Sequence, residues 1–448
     1  MSSPIRRRPE RRALRLWPVG LALSLTFFAA LVIAAAVFVA GWDLLGAREL
    51  KPERRLDSKT LFDLVKLSFG VVAGAGALVA LVVAYRRQRV DEDGALREAT
   101  RLHTERFTTA VAQLGDDSVA VRLGGVHALA GLADDAPTDP LRQTCIDVLC
   151  AYLRLPYTAE ADLPPADTAA RHAYLALREV RHTVIRLIRD RTAVDPRESH
   201  VSWQGYDLDF TGVVFDGGDF FGAVFAAGST VSFRNARFCD ATVDFRAAWF
   251  RGATVHFTDA AFYGATVDFR GAAFSDGTVN FFDAQFSDGE VSFVDARFAG
   301  AVVDFSDAAF CGATVNFRSA EFSDGMVGFR GAAFSGGTVN FSNTVFSDGR
   351  VELVDAAFSG AEVDFSNARF AGGTVHFIGA AFSGGTVDFA AAQFSNGGMV
   401  TFTAAHFRGG LVDIASALGR APVDLLPPPG QPLPPGLRVP QRWRSPAP

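Results

Sequence analysis

The strongest constraint in the chain is a beat of aromatic rings. In VDFRGAAFSDGTVNF, residues 267–281, three phenylalanines are separated by five and then seven residues, and the C-terminal half keeps that spacing with little interruption. Aligned in blocks of 12, one ring column runs through Phe233, Phe245, Phe257, Phe269, Phe281, Phe293 and Phe305 to Phe389, with Leu353 its single departure. A second runs through Phe238, Phe250, Phe262, Phe274, Phe286, Phe298 and Phe310 to Phe394. Val stands two places before the first column and mostly Ala before the second, so the unit reads VxFxxAxFxxGT with Thr often replaced. A triplet such as Val-x-Phe alternates apolar and polar as a half-buried strand does. Ordinary hairpin sheets do not use pieces of about three residues at a fixed period, whereas a solenoid does, because each coil lays its short strand on the one below.

On this reading Phe245, Phe250, Phe257, Phe262, Phe269, Phe274, Phe281, Phe286, Phe305 and Phe310 are the structural core of the repeat, layered inside the coil. Asp or Ser followed by Gly, as in SDG at 275–277 and 323–325, supplies the corner between strands. Coils of 12 or 24 residues both fit the beat. An interior that must hold rings at protein packing density favours the longer coil, although it stacks Asp244 on Asp268, and predicts about seven or eight coils. SNGG at 395–398 adds one residue to the usual interval and predicts a bulge near the last coil. The Pro-rich stretch 421–448 reads as a disordered, polyproline-like tail.

Ahead of the repeat, residues 18–41 are apolar except Ser24 and Thr26, with Trp17 and Trp42 at the ends. At ~1.5 Å per residue this run exceeds the roughly 30 Å hydrocarbon core of a bilayer. Arg6, Arg7 and Arg8 lead the basic flank of residues 1–16, and a second apolar run, 67–85, is followed by Arg86, Arg87 and Arg89. The positive-inside tendency places both flanks in the cytoplasm. The expectation is therefore a two-helix transmembrane hairpin, spans 17–42 and 61–86 around an external loop 43–60. It makes the chain a multi-pass protein of the cell membrane with both termini cytoplasmic and lipid as a partner. Such a run is too long for a cleavable signal peptide. Gly70 and Gly74, four apart, would let two helices approach closely.

Residues 90–195 change to the period of amphipathic helices. Val119, Leu123, Val126, Leu129 and Leu132 share one face, as do Leu141, Cys145, Leu149 and Tyr152, and the two helices resemble a HEAT-type pair. The next helix turns Leu177, Val184, Leu187 and Ile188 inward and an Arg-rich side outward, read as a solvated face.

Between residues 201 and 414, 24 Asp or Glu stand against 11 Arg, a net of −13 inside a chain whose overall charge is −6. An acidic repeat argues against binding nucleic acid through phosphates. Four cysteines, none in a CxxC pair, read as reduced thiols, with Cys239 and Cys311 in Ser-like corner places. The eight histidines form no HExxH pair, and neither a Gly-rich loop before Lys nor GxSxG occurs. No catalytic residue, metal or cofactor is expected.

The stacked FxxAxF phrase resembles the pentapeptide-repeat family over residues 205–414. The resemblance implies a right-handed four-sided β-helix at 203–415, although two extra residues in every second interval depart from a strict five-residue beat. The order of parts resembles membrane-anchored pentapeptide-repeat proteins of actinobacteria. The fold class expected is α+β multi-domain: transmembrane hairpin, small all-α HEAT-like region, then β-solenoid. Its expected function is a non-enzymatic, membrane-anchored scaffold whose acidic solenoid binds an unidentified cytoplasmic protein. Some members of the family mimic DNA in the groove of a topoisomerase, so the resemblance also implies an alternative, an inhibitor or protector of a topoisomerase. A surface-binding Thr array is too interrupted here: Thr230, Thr242, Thr254, Thr266 and Thr278 line up, but Asp, His or Asn takes most of the other outward places.

Overall fold

Residues 254–277 trace one coil of the repeat with four short strands, Thr254–His256, Ala261–Tyr263, Thr266–Asp268 and Ala273–Ser275. Each pairs in parallel with its copies 24 residues away: Val255 with Val231 and Val279, Phe262 with Phe238 and Phe286. The coil is therefore the longer of the two that fit the beat. The computed structural model describes residues 58–444 apart from 165–166, 396–397 and 429–430, with scattered positions between 24 and 43. Within them the parallel β-solenoid runs to about nine turns, more than the seven or eight expected. The difference arises because pairing already starts at Leu208–Asp209 and continues to Leu418–Gly419. Such a stack is roughly 40 Å tall at ~4.8 Å per strand.

Two kinds of corner bend the coil. After each ring of the Val-x-Phe triplet the chain reverses within four residues: the Ala260 N–H donates to the Phe257 carbonyl at 3.0 Å. The third residue of that turn is left-handed, as at Asp259 (φ 56), Asp283 (φ 56) and Asn343 (φ 59), a conformation that Asp and Asn tolerate better than most residues. The polar residue between Val and Phe locks the same corner. Asp268 Oδ1 accepts from the Arg270 backbone N–H at 3.0 Å, and Asn280 Oδ1 from that of Phe282 at 2.7 Å. These side chains are corner caps rather than plain outward decoration. The SDG segment at 275–277 forms the other corner, where Asp276 (φ 56) and Gly277 (φ 82) are both left-handed, whereas the one at 323–325 lies inside the strand Glu321–Gly328 and only Gly325 (φ 96) is left-handed. A Cβ at Gly277 would stand 2.4 Å from the Ala253 carbonyl oxygen.

Inside, the rings form four columns. Phe257 lies 4.7 Å from Phe233 and 4.6 Å from Phe281, with planes 2° and 4° apart, while across the interior it meets Phe269 edge-on at 85° and 6.1 Å. Offset-parallel and edge-to-face geometries are the two that ring quadrupoles favour, so one lattice satisfies both. Val255, Ala260, Val267 and Ala272 fill the space between, all under 1% exposed. Leu353, fully buried, takes a ring place without breaking the column.

The chain divides into two units, Arg6–Leu102 and His103–Pro448. Helix α1, Ser58–Leu114, contains the second apolar run, and Arg86, Arg87 and Arg89 lie within it rather than at a membrane edge. Among the described residues no helix is long and apolar enough to cross a membrane. That finding overturns the expected transmembrane hairpin and the multi-pass membrane location. Physically, eight of the 19 residues at 67–85 are Gly or Ala, which bury little apolar surface, and the helix runs on through a charged segment to Leu114. Most of the first apolar run, its Arg6, Arg7 and Arg8 flank and nearly all of the loop 43–60 lie outside the described residues.

In the second unit α2 (Val119–Asp134) and α3 (Asp139–Arg154) pack together through Val126, Leu129, Cys145 and Leu149, all fully buried. Helix α4 (Thr168–Thr192) adds Val184, Leu187 and Ile188 to the same core. The far end of the solenoid is closed by the segment expected to be disordered. Leu425, Leu437 and Val439 are buried, and Leu437–Arg438 pairs in parallel with Val412 and Asp413. The short helix α5, Gln441–Arg444, brings the Trp443 indole N–H to the Gly419 carbonyl at 3.1 Å and its ring edge-on to Phe394 at 6.2 Å. Composition misled here because proline lacks the N–H that would extend a ladder, which suits the last coil of a stack as well as a loose end. At the SNGG insertion the register steps from 24 (Phe370 with Phe394) to 25 (Thr374 with Met399); residues 396–397 lie outside the described residues.

Replacing Phe281 by Ala removes a ring stacked on both sides and should cost about 3–5 kcal/mol. Phe281→Leu should cost distinctly less, as Leu353 implies. Denaturant midpoints of the two variants measure the difference.

Candidate interaction surface

The helical region is fastened to the first coil by charged groups of α4. Arg181, 3% exposed, donates to the Leu153 carbonyl at 2.6 Å and the Val214 carbonyl at 2.7 Å, and its guanidinium lies over the Tyr157 ring at 4.0 Å. Arg189 reaches Asp219 at 3.1 Å, and Arg191 grips Asp134 at 2.7 Å, where Trp203 also donates. The Arg-rich side expected to face water is thus largely a clamp. Sequence periodicity alone does not separate a solvated Arg from one that caps carbonyls of the next element.

Asp216 is the centre of this junction. It is 6% exposed and accepts from the Tyr157 and Tyr174 hydroxyls, the latter at 2.6 Å, with His182 at 3.5 Å and Arg178 at 3.6 Å. Burial by itself raises its carboxyl, but the nearby His182 and the hydrogen bonds from Tyr157 and Tyr174 outweigh it and hold the group at about 2. Burial and the bond to Asp216 push the Tyr174 hydroxyl up to about 12. The two tyrosine hydroxyls are donors locked to one acceptor rather than groups free to exchange a proton with a substrate.

The remaining reactive side chains are similarly placed. His103 Nε2 lies 3.7 Å from Cys145 Sγ, but burial raises the thiol to about 11 and lowers the imidazole, so both are neutral. Burial also raises Cys150 to about 12. All four cysteines are free; Cys239 ends the strand Arg237–Cys239 and is buried, and exposed Cys311, inside the strand Ala309–Asn316, accepts from the Ser335 hydroxyl at 3.4 Å. Among the described residues no three His, Cys, Asp or Glu side chains are grouped to hold a metal ion.

Phe245, Phe250, Phe257, Phe262, Phe269, Phe274, Phe281, Phe286, Phe305 and Phe310 are all 0–1% exposed, so none of these rings reaches the surface. What the solenoid presents is outward columns, one residue per coil. In one, Asp244 and Asp268 sit on adjacent coils and are neutralised from the side: Arg246 reaches Asp244 at 2.7 Å and Arg270 reaches Asp268 at 2.6 Å. In the other Val-bearing column the same place reads His256, Asn280, Asp304, Gly328, Glu352 and His376. Inward places hold to Phe, Val and Ala while outward places change from coil to coil. Neither a protein-family model nor a curated protein matches the chain. The solenoid itself matches a pentapeptide-repeat fold.

Because the Asp216 carboxyl is depressed in the folded protein, its contribution is present above the unfolded value near 3.8 and is lost as pH falls through about 2. Asp216→Asn should remove about 2 kcal/mol of stability at neutral pH. The gap between wild type and variant should close between pH ~4 and ~2, as read by unfolding midpoints along the series.

Proposed function

We propose that the chain is a non-enzymatic scaffold whose acidic β-solenoid binds another protein. The observation that carries this reading is the division of labour in each coil: a repeated interior supports an exterior that varies place by place, so the rod offers a distinctive surface without changing its fold. The backbone N–H and C=O groups across each face are engaged by neighbouring coils, which leaves recognition to side chains. A β-solenoid of this kind is typically a structural or interaction fold, in keeping with a role that needs no catalytic group. Co-purification of the full chain should retain a defined protein partner, and removal of residues 205–414 should release it. Retention of that partner without the solenoid overturns the scaffold reading.

The topoisomerase reading draws on the net −13 of the repeat. The arginines bound across Asp244 and Asp268 interrupt the negative stripe on the first coils and weigh against it. The expected result is that the purified protein leaves gyrase supercoiling unaffected at micromolar concentration; inhibition there would favour the DNA-mimic reading instead.

A further inference from the structure

We propose that the place taken by the Tyr157 ring is an exchangeable binding slot for a tyrosine on an extended segment of the partner protein. The connection between α3 and α4 fills the slot in cis until that segment displaces it. The proposal rests on the scaffold reading and adds a site and the chemistry of what enters it.

The slot is built from three side chains whose positions do not depend on the connection. Tyr174 and Arg181 stand seven residues apart on α4, about two turns or ~10.5 Å. The Tyr157 ring lies 5.9 Å from the Tyr174 ring, stacked at 30°, and 4.0 Å from the Arg181 guanidinium, distances that place it between the two. Its hydroxyl donates to Asp216. Arg181 is fixed by the carbonyls of Leu153 and Val214, and Tyr174 by its own bond to Asp216. The walls are therefore set before anything enters.

Those walls select a phenol. A planar cation and an aromatic ring accept any flat ring on their faces. Asp216, 6% exposed, adds the need for a donor at the tip of that ring, and a bare ring would leave the buried carboxylate one donor short. Burial and the bond to Asp216 push the Tyr157 hydroxyl up, so the incumbent remains a donor.

The connection itself is held loosely. Among the described residues, the backbone hydrogen bonds of 155–164 stay within the connection or reach back one turn to Tyr152. Ala159 is buried, whereas Leu155, Pro156, Thr158, Glu160 and Asp162 are exposed. Outside the slot, Glu160 meets Arg171 at 2.9 Å, a surface pair that contributes little. A segment with few buried contacts and a backbone bonded only to itself opens well below the free energy of global unfolding. Opening leaves Asp216 with the Tyr174 hydroxyl at 2.6 Å, His182 at 3.5 Å and Arg178 at 3.6 Å, so the carboxylate is not stranded.

The incumbent also shows the form of its competitor. Leu155 (φ −58, ψ 150), Ala159 (φ −66, ψ 159) and Leu163 (φ −80, ψ 145) have polyproline-type backbone, and Pro156 directly precedes Tyr157. An extended segment of this kind carries its ring into the slot without pairing its backbone to the protein.

The probe is a fluorescein-labelled synthetic peptide of residues 153–163, LRLPYTAEADL, titrated with the full chain by anisotropy. A control peptide has Phe at the Tyr157 place. Tyr157→Ala empties the slot without touching its walls and should bind the Tyr peptide roughly tenfold tighter than wild type, whose slot must first be vacated. On that variant the Phe peptide should bind roughly tenfold weaker, the loss of a hydrogen bond to a buried charge. If Tyr157→Ala does not fold, Tyr157→Phe keeps the ring, gives up the bond to Asp216 and should shift binding in the same direction. No binding by wild type at millimolar peptide, equal binding by wild type and variant, or indifference to the peptide hydroxyl overturns the exchange. A natural partner released by removing 205–414 but retained equally by wild type and Tyr157→Ala rejects the slot alone, whereas one kept without the solenoid rejects the scaffold reading.

Discussion

The structure depends on a match between two distances. Strands in a parallel ladder lie ~4.7–4.9 Å apart, and the rings of one column stack at 4.5–5.1 Å. Because the two spacings agree, a residue that satisfies its backbone in the ladder brings its ring into offset contact with the ring one coil away at no geometric cost. Phe suits the place better than Tyr or Trp, whose O–H or N–H would need a partner in a dry interior. Leu353 shows that the column needs bulk and apolarity above aromaticity. Each turn adds the same increment of burial, so the rod's stability is close to a sum over neighbours, and its length is set by the ends rather than by the interior.

Those ends are where a solenoid is vulnerable, since an uncovered coil presents unpaired backbone groups and the face of its ring stack. At the first coil the cover is the helical region, with Arg181 occupying the Val214 carbonyl and Trp203 buried beneath. At the last, Arg442 and Trp443 donate to the carbonyls of Ala417 and Gly419. Side chains thereby occupy acceptors that another strand could otherwise use. Both covers rely on long, planar donors that can span from a helix to a sheet edge.

The ring columns were legible in the sequence because the period is strict and the residue type nearly invariant along the chain. The caps were not. A polar residue between Val and Phe gives the same alternation whether it faces water or folds back on the backbone N–H two places on, so Asp268 and Asn280 read as outward strand residues. The left-handed Asp259 and Asp283 were hidden for a related reason: without a following Gly, as in SDG, an isolated Asp is not a distinctive turn signal. Composition misjudged two segments more seriously. The Pro-rich end folds onto the last coil through a few apolar residues, Leu425, Leu437 and Val439, that a mean over the segment dilutes. The run 67–85 looks uniformly apolar by residue class, yet much of it is Gly and Ala, and class alone does not weigh how little surface those residues bury.

Stacking identical places one above another also constrains the outside. Any charge on one coil meets its counterpart on the next, so outward residues 24 apart are coupled even though the fold tolerates each singly. Asp244 and Asp268 are reconciled by Arg246 and Arg270, two residues further along the chain in the corner that follows each strand. Further up the same column, Asp364, Asp388 and Asp413 are followed at that place by Ser366, Ala390 and Ala415, none of which can supply a guanidinium. Burial, with the carboxylates of Asp364 and Asp413 adding to it, raises the Asp388 carboxyl. The exterior of such a rod can diversify, but only in vertical sets. On the His256 to His376 face the set alternates imidazole, amide, carboxylate and a bare glycine, which avoids stacked like charge.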